Sequence, residues 1–343
     1  MTRPNLEIIM LALLAVLAID SLPAKPDLTV EVSPRLVTLR VGPLELPASP
    51  GGSHSTLYNQ GNHDLPLLPF VWPMDAWARG FHLTIRDGSG RVLPNRLLHH
   101  LNVIHQGRRQ LLQPMFERTI AMGQEAREVR LPATVGVRIE AGSPMALHLA
   151  LMNDTPEALS GVTVELSIDL HPHNLVPRPR EVRPVAFDIG ITPGGNNSFN
   201  LPSGTSVFQR EFVVPVSGRL LGLGAHLHQL ADSISLIEVR SGRVLATLRP
   251  QTDSAGRIIR VTHRLFGVTG PGLKLRAGER YRVLAVYTNP GAPQRDGGMA
   301  SMAGIFMPDN LRGWPALDRS DPGLLADLAL LNGRLTAGAG HHH

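Results

Sequence analysis

Short stretches that alternate apolar and polar residues, separated by glycine and proline, dominate this sequence. Residues 36–41 and 80–86 both alternate with period two, as strands with one buried face do. The segment 87–90, Asp-Gly-Ser-Gly, follows the second stretch and is typical of a turn. The 34 glycines and 29 prolines fall largely between such stretches. The pattern predicts an all-β fold made of antiparallel β-sandwiches.

A proline-rich segment divides the chain near its middle. Residues 171–184 contain four prolines, which disfavours continuous strand structure and is typical of a linker. A chain of 343 residues is long enough for two domains of ordinary size. We therefore predict one β-sandwich over residues 25–178 and a second over residues 179–318.

The C-terminal stretch, residues 319–343, contains the one helical pattern. Residues 322–335 are rich in leucine and alanine, and Asp321 is a suitable N-cap in front of them. One short C-terminal helix is therefore predicted. The terminal residues His341–His343 resemble a purification tag and are not candidate ligands.

Residues 1–24 have the pattern of an export signal. Arg3 supplies the positive start, and residues 8–19 form an apolar run of signal-peptide length that is short for a membrane span. We expect a periplasmic or extracellular protein with no membrane span after signal removal. An uncleaved N-terminal membrane anchor is the alternative.

Charge and cysteine content restrict the possible partners and metal ligands. The chain has 33 Lys and Arg against 28 Asp and Glu, a formal net charge of +5. The basic residues are scattered, so no nucleic-acid partner is expected. There is no cysteine, which excludes disulfides and Cys-ligated metals. Any metal site must use His, Met, Asp or Glu.

His226-Leu227-His228 is the best candidate ligand pair. On a strand, residues i and i+2 project from one face about 6.6 Å apart, close enough for two imidazoles to share an ion. Gly222 and Gly224 lie on that face and leave it uncrowded. The second pair, His171-Pro172-His173, lies in the proline-rich segment and is interpreted as a solvated loop.

His99-His100 is a weaker motif when taken alone. Neighbours on a flat strand point to opposite faces, so both can reach one ion only on a strongly twisted or bulged strand. His105 shares a face with His99 but lies about 20 Å further along the strand, too far for the same ion.

A methionine-containing segment supplies a soft ligand. Met299, Met302 and Met307 lie in a strand-like stretch near residue 308. A thioether beside two imidazoles favours Cu(I) over Zn or Fe, whereas ordinary core packing is the alternative role of these methionines.

The order of four stretches resembles the copper type II, ascorbate-dependent monooxygenases, the family of peptidylglycine α-hydroxylating monooxygenase and dopamine β-monooxygenase. These stretches are residues 80–100, 135–154, 222–236 and 287–308. The resemblance implies two jelly-roll-like sandwiches, each offering one copper ion, with ascorbate or another reductant and with O2 and a small molecule as substrates.

The resemblance also implies the ligands of each copper ion. His226, His228 and Met299 match the copper site at which O2 is bound, with Met302 as the alternative thioether. His99 and His100 match two of the three ligands of the electron-delivering copper. Leu151 stands where the family has its third histidine. His148, three residues earlier, is expected to face away unless the strand shifts.

Two hypotheses follow. In the first, the chain is an exported copper-dependent monooxygenase that hydroxylates an unidentified substrate. In the second, it is a non-catalytic copper-binding or structural protein of the cell envelope. The family's peptide-binding arginine is replaced by Gly224 and its disulfides are absent, so a glycine-extended peptide is not the expected substrate.

Overall fold

A computed structural model describes residues 27–48, 62–153, 155–191, 197–254, 256–267 and 270–331. The predicted export signal, the end of the predicted helix and the tag-like histidines lie outside the described residues.

The first sandwich contains two sheets. Its strands are β1 (Leu28–Ser33), β2 (Leu36–Leu46), β3 (Asn62–Asp64), β4 (Leu68–Val71), β5 (Ala76–Arg86), β6 (Leu98–Arg109), β7 (Phe116–Gly123), β8 (Glu128–Arg130), β9 (Val135–Ile139), β10 (Pro144–Met152), β11 (Leu159–Pro172) and β12 (Arg180–Glu181). A seven-stranded sheet has the order β1-β2-β11-β5-β9-β12, with β8 beside β5. A five-stranded sheet has the order β3-β10-β6-β7, with β4 beside β10.

The second sandwich follows in the chain. Its strands are β13 (Arg183–Asp188), β14 (Phe199–Leu201), β15 (Gly204–Val213), β16 (Gly218–Leu227), β17 (Ala231–Glu238), β18 (Val244–Leu248), β19 (Pro250–Thr252), β20 (Ile258–Val261), β21 (Arg264–Leu265), β22 (Leu273–Leu275), β23 (Arg280–Asn289), β24 (Gln294–Gly298) and β25 (Ala300–Pro308). The main sheets have the orders β13-β25-β16-β21, with β22 beside β16, and β15-β23-β17-β18. Two small pairs, β14-β24 and β19-β20, complete it.

The predicted fold class is confirmed: apart from one short C-terminal helix, the regular structure of the described chain is almost all β, in two sandwiches. The period-two pattern decides which side chains form each core. On β11, Val162, Val164, Leu166 and Ile168 are buried, and the residues between them are at least partly exposed. Each buried aliphatic side chain of this size contributes roughly 1.5–3 kcal/mol. The strand ladders are antiparallel except where β12 runs parallel to β9.

The chain crosses from one sandwich to the other just after β12. Val182 belongs to the first core, and Val185 belongs to the second. Between them, Arg183 begins β13 and reaches back to the first sandwich. Its Nη1 lies 3.1 Å from Glu117 Oε2, and that carboxylate is fully buried. The crossing point is therefore also a contact between the sandwiches.

The C-terminal helix α1 (Pro322–Leu331) packs on the first sandwich rather than on the second. Leu324 and Leu331 pack with Ile104 and Phe116 of the five-stranded sheet. Arg118 Nη2 donates to Asp327 Oδ1 at 2.6 Å. Helix α1 thus returns from the second sandwich to the first.

Within the described ranges, no helix has the length and apolar character needed to cross a membrane.

Candidate functional site

His226 and His228 lie at the end of β16, on the side of the sheet that faces the first sandwich. The alternation that buries Leu223 and Leu227 in the second core directs His226 the other way. The two imidazole rings are 5.4 Å apart between centroids and nearly perpendicular. His228 itself follows the strand, and its backbone N–H donates to the carbonyl of Met299.

Strand register separates the two candidate methionines. Met302 lies opposite Ala225, is fully buried and belongs to the second core. Ser301 lies opposite His226, and Met299 follows in register opposite His228. Because directly opposed residues of an antiparallel pair share a face, Met299 is the methionine on the histidine side of the sheet.

A β-bulge brings the adjacent histidines of β6 together. On β10, Ala150 pairs with His100 and Leu151 pairs with Leu98, so His99 is the extra residue. Such a bulge re-aims side chains that would otherwise point to opposite faces. The His99 and His100 rings are 4.8 Å apart between centroids.

His148 lies beside His100, although the sequence pattern placed it on the other face. It pairs with Asn102, two residues from His100, so the two histidines are diagonal neighbours on one face. Their rings are 4.7 Å apart. The expectation that His148 faces away came from its position three residues before Leu151, an odd spacing on a regular strand. The bulge in the β6–β10 ladder shifts the strand register between Ala150 and Leu151, so this spacing no longer decides which histidines share a face.

Glu125 connects these histidines across the two sandwiches. Glu125 lies in the segment that follows β7, and its Oε1 atom is 3.0 Å from His226 Nδ1. Gly123 pairs with His100, and a Cβ atom added there would lie 3.0 Å from His226 Nδ1. The glycine therefore permits the close approach. His99, His100, His148, His226 and His228 are here called the histidine cluster.

Sequence reasoning missed Glu125, Gly123 and Asp188. Asp188 lies on β13 opposite Ser301, which in turn lies opposite His226, so the three form a row across the sheet. Neither carboxylate lies at a sequence spacing from the histidines that would form a recognisable motif. They meet His226 only through strand pairing and through packing between the sandwiches.

The pKa values of the two second-sandwich histidines are shifted in opposite directions. Burial would lower the pKa of His226, but the charge and hydrogen bond of Glu125, with a further contribution from Asp188, raise it. Burial holds the pKa of His228 well below its ordinary value, and neighbouring His226 and His99 lower it further. One protonated imidazole at His226 thus opposes protonation of its neighbour.

The first-sandwich members of the cluster favour the neutral form. Burial, followed by the charges of His148, His99 and His226, places the pKa of His100 well below its ordinary value. Burial and Arg118 lower the pKa of His148 to about 4. Burial raises the pKa of Asp188 to about 6, although two backbone N–H groups donate to it. Neutral imidazole is the form that binds metal ions.

His105 lies in the first sandwich outside the cluster and is 4% exposed. Its Nδ1 accepts a hydrogen bond from Gly107 N–H at 3.1 Å. Burial, with help from the charge of Arg108, lowers its pKa to about 3. The folded state therefore excludes a proton that the unfolded chain binds below about pH 6.5.

Acidification from pH 7 to pH 4 is expected to lower the free energy of unfolding, with His105 contributing roughly 3 kcal/mol of the loss. The sign follows from a folded-state pKa below the unfolded value, so the penalty begins near pH 6.5 and grows until the pH reaches the folded-state pKa. Guanidinium denaturation at several pH values measures it. His105→Asn, which keeps an acceptor for Gly107, should reduce the pH dependence, whereas His82→Asn at an exposed position should not. Equal pH dependence in wild type and His105→Asn would contradict this assignment.

The copper ligands named from the sequence, His99, His100, His148, His226, His228 and Met299, stay a prediction at these side-chain positions. Among the described ranges there is no group of three or more His, Asp or Glu residues arranged to hold a metal ion. The cluster rings instead contact one another in tilted or edge-on pairs. The predicted histidines of each sandwich therefore come together as ring pairs.

Comparisons with known proteins do not support the predicted family. No family model matches the chain, and no curated protein matches it. Similar solved structures include the major capsid protein P2 from bacteriophage PM2, with 12% identity, a TM-score of 0.36, and coverage of 74% of this chain and 99% of that one. The Sputnik virophage structure has 8% identity, a TM-score of 0.28 and coverage of 89% and 91%.

PNGF-II is another similar structure, with 12% identity, a TM-score of 0.27 and coverage of 78% of this chain and 59% of that one. At such scores the likeness carries no argument about function. The predicted membership of the copper monooxygenase family is wrong: no family model and no curated protein matches the chain, and the similar solved structures include viral capsid proteins.

Proposed function

We propose that this chain is a non-catalytic structural protein in which two jelly-roll-like sandwiches form one rigid unit. The observation that supports it best is the buried carboxylate of Glu117, which pairs with Arg183 at 3.1 Å and with Arg108 at 3.6 Å. Separation of the sandwiches would remove Arg183 from this carboxylate, and a buried charge that loses a partner is costly. The interface therefore opposes the hinge motion that many two-domain enzymes use.

Calorimetry tests the rigid unit. The full chain should unfold in one transition, with calorimetric and van't Hoff enthalpies that agree. Two resolved transitions would contradict the proposal.

A catalytic role is tested separately: O2 consumption with copper and ascorbate should not exceed that of free copper. Consumption above that level that is lost in His226→Ala would overturn the non-catalytic assignment.

Export to the periplasm or the cell exterior is also proposed, on the pattern of residues 1–24. The mass of the protein recovered from the producing cells distinguishes this from an N-terminal anchor, because only signal cleavage removes the mass of residues 1–24. A small-molecule substrate and O2 belonged to the monooxygenase resemblance and are not part of this proposal.

Copper binding without catalysis is the second candidate function, and the bulge at His99 is the observation that favours it. It places two adjacent histidines and His148 within ring contact of one another. Imidazole and thioether groups suit copper, and a thioether favours Cu(I). His99, His100 and His148 would hold one ion, and His226, His228 and Met299 another. An external reductant such as ascorbate would serve only to supply Cu(I).

Copper titration of protein lacking His341–His343 tests this candidate. We expect bound Cu(I), counted by elemental analysis, that decreases by one ion in His226→Ala. Met299→Leu should weaken Cu(I) binding at this site about tenfold or more, a difference of about 1.4 kcal/mol. Met302→Leu is the matched control and should bind as wild type, because Met302 lies in the core. Wild-type protein that retains no copper, or equal losses in both methionine variants, would exclude the assigned ligands.

A further inference from the structure

A cavity of about 360 Å³ lies on the first sandwich, on the seven-stranded sheet rather than on the sheet that carries His99, His100 and His148. It is formed by the turn between β1 and β2, by β5, and by the end of β11 with the linker that follows. Its lining combines basic and apolar side chains: Arg35, Arg79, Leu170, His171, Leu175 and Val176. This volume is within the range of small-molecule sites in proteins.

Arg79 is positioned by a second β-bulge. Asp169 pairs with Gly80 and Leu170 pairs with Ala78, so Arg79 is the extra residue on β5. Its backbone carbonyl accepts a hydrogen bond from Leu131 N–H. The side-chain Nε is buried and has no hydrogen-bond partner among the described residues. Such a buried donor has a desolvation cost that an anionic acceptor would remove.

Arg35 supplies a second guanidinium to the cavity. It lies in the β1–β2 turn, and its carbonyl accepts from Leu170 N–H, which ties the turn to β11. Across the part of the chain that the structure describes, neither Arg35 nor Arg79 forms an ion pair with a carboxylate. Two such guanidinium groups in one cavity provide a binding site for a carboxylate or phosphate group.

His171 and Pro172 line one wall of the cavity and lie within β11, so the interpretation of the His171-Pro172-His173 motif as a solvated loop is wrong for these two residues. His171 lies within β11, and both histidines are half-buried. Trp77 stacks on His173 at 5.1 Å and meets His171 edge-on at 6.4 Å. His171 Nε2 is 3.3 Å from the carbonyl oxygen of Leu175. These contacts hold the imidazole and the linker in place beside the arginines.

We propose that this cavity binds a small organic anion, with its carboxylate or phosphate group on Arg35 and Arg79 and its apolar portion on Leu170, Leu175 and Val176. Val176 is 82% exposed and gives the cavity an apolar surface that a ligand can cover. An amphiphilic ligand fits this lining, because its charged end matches the arginines and its apolar end matches the aliphatic side chains. The site is independent of the histidine cluster.

The probes are hexanoate, hexyl phosphate, inorganic phosphate and hexanol, added to the full chain and followed by NMR shifts of the Leu175 amide. Hexanoate or hexyl phosphate should bind saturably, and the tighter of the two identifies the anionic group. Arg79→Gln and Arg35→Gln should each weaken that binding about tenfold or more, which corresponds to about 1.4 kcal/mol. Arg35 is exposed, so its variant is expected to fold even if Arg79→Gln does not.

Arg130→Gln is the matched control, because it removes the same charge from an exposed position on the same sheet. It should leave binding unchanged. If Arg130→Gln lost as much affinity as Arg35→Gln, general electrostatic attraction would explain the binding, and the proposed site would be contradicted. So would the absence of saturable binding by either alkyl anion, or equally tight binding of hexanol. Inorganic phosphate that binds as tightly as hexyl phosphate would refute the apolar half of the site.

Discussion

Glu117→Gln is expected to lower the free energy of unfolding by about 3–5 kcal/mol. The Glu117 side chain is fully buried, and the two arginines that pair with it, Arg108 and Arg183, are only 11% and 12% exposed. Glutamine keeps the shape of the side chain but removes the charge, so two nearly buried guanidinium groups lose the carboxylate between them. Because Arg183 belongs to β13, the loss also weakens the contact between the sandwiches.

Chemical denaturation measures this change, and Glu128→Gln is the matched control. Glu128 pairs with Arg130 on the surface, with 45% and 76% of the two side chains exposed. An exposed pair of this kind contributes between zero and about 1 kcal/mol. If Glu117→Gln cost no more than Glu128→Gln, the buried network would not hold the sandwiches together, and the structural proposal would lose its main support.

Asp327→Asn is expected to cost about 3 kcal/mol or more and to release helix α1 from the first sandwich. Asp327 is fully buried, and its two oxygens accept from Arg118 Nη2 at 2.6 Å and Nη1 at 2.7 Å. Oδ2 also accepts from Phe116 N–H at 3.1 Å. An amide cannot accept through both atoms, so this change leaves a largely buried guanidinium without its charge partner.

Denaturation and limited proteolysis after residue 318 measure the release of the helix. Leu325→Ala is the matched control, because Leu325 lies on the same helix and is 52% exposed. It should change stability by less than about 0.5 kcal/mol. Unchanged cleavage in Asp327→Asn would show that apolar packing by Leu324 and Leu331 alone retains the helix.

The sandwich architecture could be predicted because it depends on local alternation. β11 illustrates this: every second residue from Val162 to Ile168 is apolar in the sequence and buried in the structure. The helix was predicted in the same way, from a leucine-rich segment behind Asp321. In both cases the burial pattern follows from backbone periodicity alone.

The histidine cluster could be predicted only in part. The position of His226 follows from its place in an alternating strand, and Leu227 is buried as expected. The bulge at His99 and the approach of His148 depend on the register between β6 and β10, which lie about 45 residues apart. Glu125 is 101 residues from His226, and no local pattern links them.

The sequence alone determines the all-β class, the two-sandwich organisation and the absence of thiol chemistry. Strand periodicity can be read from short segments, and the cysteine count is a property of the composition. Tertiary structure alone decided three things: that the predicted histidines pack in ring contact with one another, that Glu117 joins the sandwiches, and that two arginines share a cavity. The physical reason is that bulges and inter-sheet packing set side-chain distances between residues far apart in the chain, and such distances leave no periodic trace in the sequence.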